Sequence, residues 1–209
     1  SDVYKRQVVA RSDPNALKHK GLTYFFLDMR TPGVEAKPIK QISGSANFNE
    51  VFFNDVRIPD SQRLGAEGDG WKVALTTLMN ERLAVGDPPG LDFDQIFEAT
   101  KEIEVEDGLA IKNSEVRQKM ADWYVQSRGL QYTKYRSMTA LSKGQTPGPE
   151  LSISKLVTAS KMQEVSSYAL DLMDMAGYVH HDKNPVMRNL FQNGYFFSAA
   201  MRIAGGTDE

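Results

Sequence analysis

The sequence predicts an α+β chain in several domains, a partial antiparallel β domain followed by a C-terminal antiparallel four-helix bundle. Three observations lead there. Residues 8–68 carry short apolar runs cut by Gly, Pro and Asn-Asp, the punctuation of strands and turns. From Asp69 the apolar period changes to about 3.6 residues. Long periodic segments then follow one another across short Gly/Pro breaks, the arrangement of neighbouring antiparallel helices. The boundary is therefore placed between residues 68 and 69.

In the β part, "GLTYFFLDM" (21–29) is a buried-strand run opened by Gly and closed by "RTPG". "VEAKPIKQIS" (34–43) contains Pro38, which restricts it to an edge or bulged strand. "NFNEVFFNDVRIP" (47–59) places Phe48, Val51, Phe53, Val56 and Ile58 around a break at Asn54-Asp55. The polar stretch "ARSDPNALKHKG" (10–21) reads as a hairpin connection. These strands are too few to close a sheet, so the β domain reads as cut on its N-terminal side.

The first helix is expected over about 69–86, ending at "GDPPG", where paired prolines cannot continue it. A weaker segment at 92–103 leads into an acidic stretch, "EIEVEDGLAIKNS", which reads as a solvated loop. The second helix is expected from Ser114, as N-cap, to Lys143, with Val116, Met120, Trp123, Leu130, Tyr135, Met138 and Leu141 as its apolar positions. The third is expected over 150–176 with Leu156, Val157, Met162, Val165, Leu170 and Leu172, and the last over 184–204.

The bulk numbers exclude some classes of function. The net charge of −2 and the scattered basic residues give no footprint for nucleic acid or a membrane surface. No apolar run approaches the roughly 20 residues that span a bilayer. The absence of cysteine excludes disulfides, thiolate catalysis and thiolate-held metals, and it fits a cytoplasmic protein. His180-His181 cannot share one helix face and lack further ligands at a metal spacing, so they read as a solvated loop. "GDGW" lacks the strand–turn–helix setting of a dinucleotide fingerprint.

Within "TTLMNERLAVG" (76–86) an acid and a base stand side by side. On a helical wheel, Trp71, Ala74, Leu75, Leu78, Met79 and Val85 share one arc. Arg82 falls near its middle, and Glu81 at its edge. A core-facing guanidinium keeps its charge and needs an anion. The wheel leaves open whether that anion is a structural carboxylate or a ligand. "AGGT" (204–207) reads, on residues alone, as a helix cap with glycine in the left-handed region.

The junction "GSANFNEVFFNDVRIPDSQRLGAEGDGWKVALTTLMNERL" and the terminal "MRIAGGTDE" resemble the acyl-CoA dehydrogenase family. The likeness covers residues 8–209; the opening "SDVYKRQ" does not match it and reads as foreign. The resemblance implies a flavoprotein that uses FAD to oxidise acyl-CoA thioesters to 2-enoyl-CoAs. A carboxylate takes a proton from Cα while hydride leaves Cβ for flavin N5. Many members carry the base just before the Gly-Thr of the terminal turn, where this sequence has Gly205. Isovaleryl-CoA and long-chain acyl-CoA dehydrogenases instead use a glutamate on the first helix of the C-terminal domain, and Glu81 matches it. The resemblance thus implies Glu81 as base, with Arg82, Leu78 and Gly205 toward the substrate. It implies Gly206, Thr207 and Gly177 toward FAD, with no metal.

The implied acceptor is an electron-transfer flavoprotein, and the implied assembly is a homodimer or homotetramer. The N-terminal helical domain of the family is absent, and the last helices are cut short, so the fragment itself is expected to be inactive. The sequence also departs from the family. No Arg-x-x-Phe-Gly segment follows the first helix, and "DLMDMAGYV" places Asp171 and Asp174 where a glutamine and a glycine would meet FAD. Two alternatives therefore stand beside the dehydrogenase: a flavin oxidase of the same fold, and a non-catalytic partner subunit of a heteromeric dehydrogenase.

Overall fold

The structure is a computed structural model that describes residues 5–84, 91–145, 148–179 and 186–207. The side chains of 80–84, 151 and 186–188 lie outside the described residues, as do the expected stop at "GDPPG" and His180-His181. The chain divides into two compact units, Ser1–Ala84 and Val85–Glu209.

In the first unit, β1 (Lys5–Arg11), β2 (Leu22–Asp28) and β5 (Arg63–Leu64) form an antiparallel sheet with β2 in the middle. The central strand buries Thr23, Tyr24 and Leu27. The polar stretch before it is a hairpin connection, as its Pro and Gly boundaries predict. Part of "SDVYKRQ" is in the sheet, where Lys5, Arg6 and Gln7 pair with Asp28, Leu27 and Phe26. β3 (Val34–Ile39) and β4 (Phe48–Phe53) make a separate hairpin. In a two-stranded sheet each strand is an edge, which is why Pro38 is tolerated opposite Asn49. The expected break after β4 is present, with Asp55 at φ +50°.

Helix α1 (Gly70–Ala84) packs on β2 in this unit. Its contact face is small and polar. A Cβ on Gly70 would lie 2.7 Å from the Leu22 carbonyl, and Thr77 Oγ1 is 3.4 Å from Tyr24 OH. The apolar arc read as core-facing is exposed instead: Trp71 is 43% and Leu78 52% accessible, and Leu75 and Met79 are exposed too. Only small residues let the helix approach the strand so closely, and that turns the bulky arc away. Trp71, expected in a core, stacks on His19 with ring centroids 4.0 Å apart.

In the second unit, α2 (Phe93–Thr100) begins at Asp92, whose side chain and Gln95 form a capping box. The expected solvated acidic loop is a short hairpin, β6 (Glu104–Val105) with β7 (Gly108–Leu109), flanked by buried Ile103 and Ala110. Helix α3 (Ser114–Ser142) is capped by Asn113 rather than Ser114. The Asn113 side chain accepts from the Glu115 and Val116 amides at 2.9 and 3.3 Å. Helix α4 (Glu150–Leu172) stops short of 176, because Asp174 at φ +50° cannot continue it; α5 (Met175–Tyr178) and α6 (Val186–Ile203) follow.

The core gathers Ile96 and Ala99 from α2, Val116, Met120 and Trp123 from α3, Met162, Val165 and Ala169 from α4, and Phe191 from α6. Gly194 lets α6 close on α4, since a Cβ there would lie 2.1 Å from Leu91 and 2.7 Å from Ser166 Oγ. The expected core positions Tyr135, Met138, Leu141 and Leu156 are exposed. Periodicity marks an apolar stripe without saying what covers it, and the core occupies the first third of α3. Inside this unit Lys161 of α4 is 2% accessible, and its ammonium lies 2.5 Å from Asp92 Oδ1. Burial opposes ionisation of Asp92, yet hydrogen bonds from Lys161, Ser127 and the Phe93 amide hold its carboxyl below the usual range.

Three substitutions test this packing through stability. Asp92→Ala removes a cap and strands a buried ammonium, so it should cost about 1–3 kcal/mol in urea unfolding, discounted because Asp92 is half exposed. Lys161→Met keeps the aliphatic stem and leaves a solvated carboxylate, so it should cost distinctly less than Asp92→Ala; the reverse order would contradict this assignment. Asp174→Gly should raise stability by about 1 kcal/mol, because a non-glycine residue is held at positive φ there.

Candidate functional site

The terminal turn after α6 is built by backbone. Gly205 and Gly206 adopt φ +70° and +121°, a region that glycine enters without penalty. A Cβ at either would meet nothing within 4 Å, so conformation rather than crowding calls for glycine there. The turn is tied to α4. Lys155 Nζ donates to the carbonyls of Arg202 at 2.9 Å and Gly206 at 2.5 Å. These carbonyls belong to the end of α6 and the turn beyond it, where a cation complements the helix dipole. Arg202 in turn donates to Gln163 Oε1 at 2.8 Å, a second tie between α6 and α4. Gly205, Gly206 and Thr207 are exposed along this fixed turn.

Gly177 has a different reason to be glycine. It is buried in α5, where a Cβ would lie 2.3 Å from the Leu170 carbonyl oxygen. Its own carbonyl accepts from Gln192 Nε2 at 2.8 Å, which fixes α5 to α6. Beside it, the Asp171 carboxylate accepts from Tyr178 OH, and that bond holds the phenol above its ordinary range. Asp174 supplies the positive-φ residue between α4 and α5.

Leu78 is exposed on α1. Glu81 and Arg82 belong to the same helix, but their side chains lie outside the described residues. These three belong to the first unit, and Gly177, Gly205, Gly206 and Thr207 to the second. Lys155 and Gln163, which hold the terminal turn, were not singled out by the sequence. Their one signal was a polar residue within an apolar helix, and that is too common to act on. No described helix is long and apolar enough to cross a membrane. Among the described residues no group of three His, Asp or Glu side chains could hold a metal ion.

Residues 68–209 match the family model for the acyl-CoA dehydrogenase C-terminal domain. Acyl-CoA dehydrogenase FadE34 of Mycobacterium tuberculosis is 32% identical over 203 residues, 96% of this chain and 26% of that protein. Acyl-CoA dehydrogenase IpdE1 of Mycolicibacterium smegmatis is 32% identical over 206 residues, 97% of this chain and 49% of that protein. The chain thus spans half or less of these relatives. An acyl-CoA dehydrogenase structure from Geobacillus kaustophilus superposes with a TM-score of 0.80 at 19% identity, covering 98% of this chain and 54% of that one. The fold is a mixed α/β one of the kind those structures have, and the chain belongs to the acyl-CoA dehydrogenase family.

Proposed function

We propose that this chain is the β and C-terminal part of a FAD-dependent acyl-CoA dehydrogenase in which Glu81 is the base. The observation that carries the proposal is a paired exchange. The position before Gly206-Thr207 holds Gly205, which has no group to take a proton, while α1 carries Glu81. The acyl-CoA thioester binds along α1, with Leu78 toward the acyl chain and Arg82 balancing charge. In an apolar slot, desolvation raises the Glu81 carboxyl and makes it a stronger base. Glu81 takes the Cα proton as the Cβ hydride departs, leaving the Cα–Cβ double bond.

When bound, FAD supplies the hydride acceptor. The open backbone of Gly206 and Thr207 suits close approach of a flat ring, and a Cβ-free Gly205 leaves room for the thioester end. Gly177 contributes through the loop that it closes. The full protein would work as a cytoplasmic homodimer or homotetramer. Electrons then pass to an electron-transfer flavoprotein.

A second reading is favoured by Asp171 and Asp174, which stand where FAD phosphates meet the neighbouring subunit in the family and would repel them. It makes the chain a non-catalytic partner subunit of a heteromeric dehydrogenase.

The test uses the chain joined to the N-terminal domain that this reading requires. Anaerobic addition of saturated acyl-CoAs should bleach the flavin absorbance, and Glu81→Gln should slow bleaching by about 10³-fold or more. Bleaching untouched by Glu81→Gln would remove the base assignment. A colourless protein that gains flavin only with a partner would favour the second reading.

A further inference from the structure

Helix α6 runs out at Ile203, and the carbonyls of a helix's last turn have no partner within the helix. The chain then reverses through Gly205 and Gly206, at positive φ angles that only glycine enters freely. Two amides close the reversal. Ala204 donates to the Ala200 carbonyl at 2.9 Å, and Gly206 donates to the Ile203 carbonyl at 3.2 Å. The carbonyls of Arg202 and Gly206, one before the reversal and one after it, both meet a single atom, Lys155 Nζ on α4. The rotatable donors of an ammonium suit two carbonyls converging from different directions.

An ordinary C-terminal cap satisfies carbonyls of the helix it ends. Here the second acceptor lies beyond the helix, past both glycines, so the bond fixes the turn as well as the helix end. The turn needs such a tie. Glycine loses more backbone freedom on ordering than any other residue, and two stand in succession. Neither is crowded at its Cβ position, so side-chain packing does not select their conformation. The other lysine of α4, Lys161, is engaged with Asp92 and Ser127 and does not take over the task.

We propose that Lys155 is a positioning residue for FAD, whose ammonium holds the Gly205–Thr207 turn in the conformation that receives the flavin. This role rests on the dehydrogenase reading, which gives Gly206 and Thr207 to FAD. A loose turn of two uncrowded glycines would have to be ordered each time the cofactor binds, and that cost would be taken from the affinity. Lys155 meets the cost beforehand, when the second unit folds. It acts through the backbone of the turn and is not itself a catalytic residue.

Two measurements test it. In the 209-residue chain, hydrogen exchange at the Ala204 and Gly206 amides should quicken about tenfold or more in Lys155→Met, with circular dichroism unchanged. Lys155→Arg, which keeps the charge and offers several donors, should restore most of that protection. In the chain joined to the N-terminal domain, Lys155→Met should weaken FAD binding about tenfold or more, read as flavin fluorescence on titration. Lys155→Arg should recover most of the affinity. A merely structural cap would lower the urea midpoint of Lys155→Met and leave the FAD affinity of the folded protein unchanged, and that result would overturn the proposal. Exchange indifferent to Lys155→Met would overturn it too. The unsubstituted joined chain separates the two readings. If it takes up FAD, equal affinity in Lys155→Met removes the role of Lys155 alone; if it takes up none, the dehydrogenase reading fails and the role fails with it.

Discussion

Helix α4 has to bury an ammonium and an apolar face at once, and the second unit is arranged around that demand. Lys161 points into a protein interior, where an unpaired charge is costly, so its position requires Asp92 at the mouth of α2 and Ser127 on α3. One side chain thereby sets the start of one helix against the middle of two others. Ala159, Met162, Val165 and Ala169 of the same helix are buried at the same time. Ser166 between them is buried without a hydrogen-bond partner among the described residues, a cost accepted where Gly194 brings α6 close.

Several other ties of the unit start from α4 as well. Lys155 holds the terminal turn through the carbonyls of Arg202 and Gly206, and Gln163 holds Arg202. The Leu170 carbonyl leaves room only for glycine at 177. The turn that the family reading assigns to flavin and thioester is thus positioned by a neighbouring helix. The fixed element of that turn is backbone.

Much of the fold could be read from the residues because local chemistry dictated it. The strand around Phe25, the break at Asp55 and the long helices through Trp123 and Val165 follow from turn residues and periodicity. The reading failed where a stripe had to be matched to a cover. The arc of Trp71, Leu75, Leu78 and Met79 has core-like periodicity, but Gly70 and Thr77 make the contact with β2. Asn113 captured the cap from Ser114 because its longer side chain reaches two amides. Glu81 and the Gly205–Thr207 turn stood out on residues alone, as a charge beside an apolar arc and as a helix cap, and their proposed roles came from family likeness. Lys155 and Lys161 were not, because a lysine in a helix gives no sign of burial until its partners from distant segments are placed.

If α4 organises the second unit, its amides should open only when the whole unit unfolds. Hydrogen exchange of the 209-residue chain, followed residue by residue, measures this directly. The account predicts that Ala159–Ala169 exchange slowest in the unit and lose protection together with α3 and α6 as urea is added. It also predicts that Lys161→Met lowers protection in α2 as well as in α4. Exchange in α4 as fast as in the exposed β3–β4 hairpin, or protection in α2 indifferent to Lys161→Met, would contradict it.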